Sequence, residues 1–148
     1  MMSKFTKQEK IQILEDLVSI KSVNDNEMEV CKYLQNLLSE HGIKSEIIKI
    51  SDSRANLVAE IGEGAPVLGI SGHMDVVSAG DENKWTYDPF KLTEVDGKLY
   101  GRGSADMKSG LAALVLSMID IHDQGLLTHG KIRLLATAGE EIVGEGAK

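Results

Sequence analysis

Apolar residues in the first forty positions recur at three- and four-residue spacing. Ile11, Leu14, Leu17 and Val18 predict a helix from residue 6 to about residue 20. Thr6 and Glu9 have the spacing of a capping box at its start. After "NDNE", with a cap at or near Asn26, the positions Met28, Val30, Cys31, Leu34, Leu37 and Leu38 predict a second helix. It should stop at His41-Gly42, with glycine beyond the last turn. The period then shortens to that of strands in "KSEIIKI" (44–50), "ANLVAEI" (55–61) and "PVLGISG" (66–72). Residues 91–103 read as a hairpin turning at Asp96-Gly97. Residues 107–125 read as an apolar helix, with Leu111, Leu114, Val115, Met118, Ile119 and His122 on one broad face. "GKIRLLATAG" (130–139) reads as a strand buried on both faces. Strand, helix and strand in the last part of the chain imply a crossover unit. The expected class is therefore α/β, with a mixed, mostly parallel sheet flanked by helices on both sides.

Composition narrows the choices. The 148 residues carry a formal net charge of −7 and no basic run, which argues against nucleic acid and anionic membrane as partners. No apolar run reaches membrane-spanning length, and the start lacks the apolar core of a signal peptide. A single cysteine, Cys31, excludes an internal disulfide and is read as packing. Cytoplasmic residence is the simplest expectation. The chain finishes in a Gly-rich turn just after a strand, which suggests a piece of a longer protein.

The chemistry lies in three clusters, each just beyond a predicted strand or hairpin: "HMD" (73–75), "SAD" (104–106) and "GEE" (139–141). Ligands gather beyond the carboxyl ends of strands in open α/β sheets. His73 is a metal-type ligand. Asp75, two residues on in extended backbone, points the same way and can orient the imidazole or bind metal itself. Asp106 sits at a loop-to-helix junction; taken alone, it could simply cap that helix. Glu140 and Glu141 are adjacent, so their side chains diverge: one can bind metal while the other faces substrate or water. Each cluster taken alone is more often an ordinary surface or loop group. Together they make a set of carboxylates that repel one another unless one or two divalent cations intervene. Histidine with Asp and Glu suits zinc, with cobalt or manganese as alternatives. Two nucleotide readings fail. "GRGSAD" (101–106) ends its fingerprint on Asp106, and "GSADMKS" (103–109) has Met107 where a phosphate loop needs glycine.

"SGHMDVV", "KWTYDPF", "DGKLYGRGSADMKSG" and "ATAGEE", in this order and spacing, resemble the zinc-dependent deacylase and exopeptidase family. That family is of the acetylornithine deacetylase, succinyl-diaminopimelate desuccinylase, aminoacylase-1 and carboxypeptidase type. The resemblance runs from "LVSIKSVN" near residue 17 to the end and leans toward the first two of these. It implies that His73 binds one of two metal ions, Asp75 orients it, and Asp106 bridges the two ions. Glu141 then binds the second ion and Glu140 is the general base. It also implies a cis peptide between Asp106 and Met107.

The implied reaction is hydrolysis of an amide bond in an N-acyl amino acid or small peptide. The family takes two further ligands, an acidic residue and a histidine, from later sequence. It also has a separate lid and dimerisation domain, so the whole protein would be a homodimer. Residues 1–148 would be the N-terminal part of the catalytic domain and inactive alone. The alternative is a truncated, non-catalytic fold that binds metal or ligand weakly.

Overall fold

The computed structural model describes residues 3–142, Gly144 and Gly146. The end of the Gly-rich turn expected beyond Glu141 lies partly outside them. Helix α1 spans Lys7–Ser19 and α2 spans Glu27–Glu40. Strands β1 (Ser45–Lys49), β2 (Ala55–Glu63) and β3 (Val67–His73) follow, then the hairpin β4 (Thr93–Val95) and β5 (Lys98–Tyr100). An irregular turn, Ser104–Lys108, leads into α3 (Ser109–Asp123), and β6 is Gly130–Thr137.

Local chemistry sets the element ends. Thr6 Oγ1 accepts the Glu9 N–H at 3.2 Å while Glu9 Oε2 accepts the Thr6 N–H at 2.7 Å, closing the expected capping box. Asn26 occupies the cap position of α2 in a left-handed conformation, but its side chain does not cap. The Met28 N–H instead donates to the Ser53 carbonyl, 3.0 Å away. Gly42, at φ +71°, ends α2, with its N–H on Ser39 O and the Ile43 N–H on Leu38 O. Asp96 and Gly97 both take positive φ, as a two-residue hairpin turn requires.

The main sheet has the order β1-β2-β6-β3 among the described residues. The class is α/β with a mixed sheet, as expected, but two details differ. Only β3 and β6, joined through α3, are parallel; β1–β2 and β2–β6 are antiparallel. A tight turn at 50–54 joins β1 to β2 and leaves no room for a crossover. The sheet is therefore mostly antiparallel.

The described helices also cover one face rather than two. Ala55, Leu57, Ala59 and Ile61 of β2 and Ile132, Leu134 and Ala136 of β6 share one core with α1, α2 and α3. Val58, Glu60, Arg133 and Leu135 line the open face. Strand β6 thus alternates buried and less buried positions and is not buried on both faces. On α3, Asp120 is buried and accepts the Lys4 N–H at 2.9 Å, whereas His122 is exposed. No helix among the described residues is long and apolar enough to cross a membrane.

Candidate metal centre

Strand β3 and strand β6, side by side and parallel, both end at the site. His73, the last residue of β3, pairs with Thr137 of β6. The chain beyond β3 stays extended because it is bonded on both sides. The Met74 N–H donates to Thr137 O at 2.8 Å, the Val76 N–H to Ser22 O at 2.9 Å, and Ser22 Oγ to Met74 O at 2.7 Å. This holds Asp75 fully buried and His73 only 6% exposed.

The turn that carries Asp106 starts at Gly103, whose φ is +77° and where a Cβ would overlap Val76 Cγ1. Its backbone leaves helical values at Asp106 (φ −124°, ψ 103°) and Met107 (φ −126°, ψ 28°). The Asp106–Met107 peptide is cis, as the resemblance implies.

These elements bring His73, Asp106 and Glu141 together, with one ligand atom from each lying within 4.8 Å of the others. His73 Nε2 is 3.1 Å from Asp106 Oδ1 and 3.8 Å from Glu140 Oε2. The imidazole is fixed from behind: Nδ1 faces the backbone oxygen of Asp75 at 2.9 Å. The Asp75 carboxylate is farther from that nitrogen, at 3.7 Å. Its oxygens instead accept the N–H groups of Glu140 at 3.1 Å and Glu141 at 3.0 Å. The site is therefore layered. His73 and Asp75 form a buried floor, and the Asp106 and Glu140 side chains stand in solvent at 78% and 60% exposure.

The electrostatics match a cation site. Burial works to lower the His73 pKa. The hydrogen bonds to Asp106 and to the Asp75 carbonyl, with the charges of Asp75 and Glu140, outweigh it and raise the pKa. Carboxylates gathered around one imidazole favour positive charge whatever its source. One imidazole nitrogen and two carboxylate oxygens are donors that zinc and related divalent ions accept. All three ligand atoms lie close enough together, within 4.8 Å, to face a common ion. The residues fit a divalent metal.

Other residues near the site carry no obvious sequence signal. Glu27, fully buried, accepts the Gly139 N–H at 3.1 Å and pairs with Arg54 through two contacts, at 3.2 and 3.1 Å. Its sequence context marks only the start of α2. Asn56 Oδ1 accepts the Ala138 N–H at 2.9 Å, and Nδ2 donates to Gly146 O at 2.7 Å. A polar amide inside the apolar strand "ANLVAEI" was the available hint, since asparagine is disfavoured in strands.

Lys108, 1% exposed, donates to Leu17 O at 2.7 Å and Ile20 O at 2.8 Å, closing the end of α1. Burial lowers its pKa to about 8. Trp85 packs: its Nε1–H donates to Ala79 O at 2.9 Å, and the Arg102 guanidinium lies 5.1 Å from a ring centre. It also lines a cleft of about 520 Å³ with Tyr87, Asp88 and Tyr100.

An α/β sheet with His73 and Glu141 beyond the ends of two parallel strands, and Asp106 brought to them by the turn before α3, defines the class as an α/β fold with a candidate metal centre. The chain belongs to Peptidase family M20/M25/M40, whose profile matches residues 69–148. It is 57% identical, over 99% of its length, to a protein of Staphylococcus aureus named probable succinyl-diaminopimelate desuccinylase, and covers 37% of that protein. The chain thus spans about a third of the length of the curated relatives it matches. Among solved structures, human carnosine dipeptidase 1 superposes with a TM-score of 0.77 at 24% identity, over 94% of this chain and 33% of that one. A dinuclear metal-binding peptidase of the M20 family from Bacillus subtilis superposes at 0.63 and 23% identity, over 91% and 36%.

Proposed function

We propose that residues 1–148 form the N-terminal part of a catalytic domain that hydrolyses an amide bond beside a free carboxylate. The substrate class is N-acyl amino acids or small peptides, and the 57% identity to the Staphylococcus aureus protein favours N-succinyl-diaminopimelate within it. The convergence of His73, Asp106 and Glu141 carries this reading. His73 and Glu141 would hold two ions, most simply zinc, with Asp106 shared between them. The ions would polarise the substrate carbonyl and make a water molecule more acidic. Glu140 stands at the rim, its side chain 60% exposed and its Oε2 3.8 Å from His73 Nε2. As general base it would take the proton of the attacking water and pass it to the leaving amine. Asp75 would hold the machinery in register, its carbonyl on the imidazole and its carboxylate under both glutamates.

The test is turnover of N-succinyl-diaminopimelate by the complete protein, before and after chelation and after re-addition of zinc. Hydrolysis that is lost on chelation and restored by zinc is expected. A zinc-loaded protein that cleaves no N-acyl amino acid or dipeptide would refute the reading in favour of a non-catalytic binding fold.

A further inference from the structure

Four consecutive amides, Ala138 to Glu141, donate to side-chain oxygens rather than to backbone. The acceptors are Asn56 Oδ1, Glu27 Oε1, Asp75 Oδ1 and Asp75 Oδ2, at 2.9, 3.1, 3.1 and 3.0 Å. They come from three separate places: β2, the first turn of α2 and the segment after β3. Glu27 and Asp75 are both fully buried. Two buried carboxylates are an expensive way to end a strand, because water could satisfy the same amides at no desolvation cost. Arg54 offsets the charge of Glu27 with its two contacts to that carboxylate. Asn56 also reaches across the loop to Gly146 O, and the Gly146 N–H returns to Ala138 O at 2.9 Å. The segment so held carries Glu140 and Glu141, whose carboxylates face a site already crowded with negative charge. Without restraint, repulsion would splay it.

We infer that Glu27 and Asn56 are positioning residues for Glu140 and Glu141. Together with Asp75 they form an acceptor cradle that fixes the backbone of the two glutamates before any metal binds. The inference deepens the proposed function and rests on it for the roles of the two glutamates. The cradle itself rests only on the hydrogen bonds above. Glu27 supplies the acceptor for Gly139, the hinge into the pair, and Asn56 ties the two ends of the loop together. An outer residue of this kind is expected to act through placement, changing metal affinity and kcat while leaving KM almost unchanged.

The experiment compares Glu27→Gln, Glu27→Leu and Asn56→Leu in the complete, metal-free protein. It reads amide hydrogen exchange in peptides spanning 136–142, and then zinc affinity. Glu27→Gln keeps the oxygen that accepts the Gly139 N–H but turns an NH2 group toward the Arg54 Nε–H, so its exchange should lie between that of the parent and that of Glu27→Leu. Glu27→Leu and Asn56→Leu should speed exchange at 138–141 at least about tenfold, with β2 and α3 unchanged. Both should weaken zinc binding by about 10–100-fold, the range for lost outer partners of metal ligands. Unchanged exchange at 138–141 in both leucine variants overturns the inference. So does faster local exchange with parental zinc affinity. Where Glu27→Leu fails to fold, Asn56→Leu and Glu27→Gln decide by the same readings. A parent protein that binds no zinc refutes the proposed function instead, while the exchange arms still judge the cradle.

Discussion

The Nδ1 of His73 meets the backbone carbonyl of Asp75 at 2.9 Å and stands 3.7 Å from its carboxylate. The histidine is therefore oriented chiefly by backbone, and the Asp75 side chain is free to serve the glutamates. This separates two effects that substitution of Asp75 would otherwise confound. In Asp75→Asn the carbonyl that fixes His73 remains, but one of two acceptors becomes an NH2 group facing an N–H. The expected result is a loss of turnover of about 10–100-fold, with most of the metal at the His73 position retained. Metal analysis beside turnover checks it. Complete loss of metal would mean that the carboxylate, not the carbonyl, controls the imidazole.

Cys31 should be inert. Burial, with the negative charge of Glu27 beside it, pushes its thiol up to about 12. The thiol lies in the core, 3.4 Å from Ala55 O and 3.7 Å from Met74 Sδ. A free thiol of pKa about 8.5 is roughly a quarter ionised at pH 8, and one at 12 about one part in 10⁴. Alkylation of the folded protein at pH 8 should therefore be slower than that of a free thiol by about 10³-fold or more. The rate should rise tenfold per pH unit while the fold persists, because ionisation is still far from complete. Fast labelling at pH 8 without denaturant would disprove the buried placement.

Lys108 closes α1 with its ammonium on Leu17 O and Ile20 O. Lys108→Met fills much the same space but leaves two carbonyls at the helix end without that donor. We expect a loss of about 1–3 kcal/mol in unfolding free energy, the cost of stranding buried polar groups. Denaturant midpoints measure it. A variant as stable as the parent would show that water reaches those carbonyls.

Much of the fold was legible because its signals are local. Thr6 with Glu9, Gly42, and Asp96-Gly97 are short-range codes, and each does in the structure what its chemistry demands. Sheet direction was harder to read. Apolar alternation in 55–61 and the apolar run in 130–139 say that strands exist but not which neighbours they meet. The open face explains the error at β6, where Leu135 lies on the uncovered side and mimics a core position. His73, Asp106 and Glu141, which the structure brings together, were legible as candidates because metal-type residues just beyond a strand or hairpin stand out. The cradle was not, because Glu27 and Asn56 lie 112 and 82 residues from the amides they accept. No pattern of spacing links positions that only the folded sheet brings together.

Glu140 and Glu141 share a backbone cradle and differ only in where their carboxylates go. Glu141 joins His73 and Asp106 in the three-donor cluster, whereas Glu140 stands at the rim with 60% of its side chain exposed. If that division sets their roles, the two conservative substitutions must part company. Glu140→Gln keeps size and one acceptor oxygen but cannot take a proton. In the complete protein, turnover should fall by about 10²-fold or more, the range for a lost general base, with metal content near the parent's. Glu141→Gln replaces a charged oxygen donor with a neutral amide. Metal content should fall, and excess zinc or cobalt should restore part of the rate by mass action. Both variants keep the backbone amides on Asp75, so neither should change stability by more than about 0.5 kcal/mol in the metal-free state. Metal analysis, turnover and unfolding on the same preparations decide the matter. Metal loss in Glu140→Gln with retention of metal and rate in Glu141→Gln would reverse the assignment.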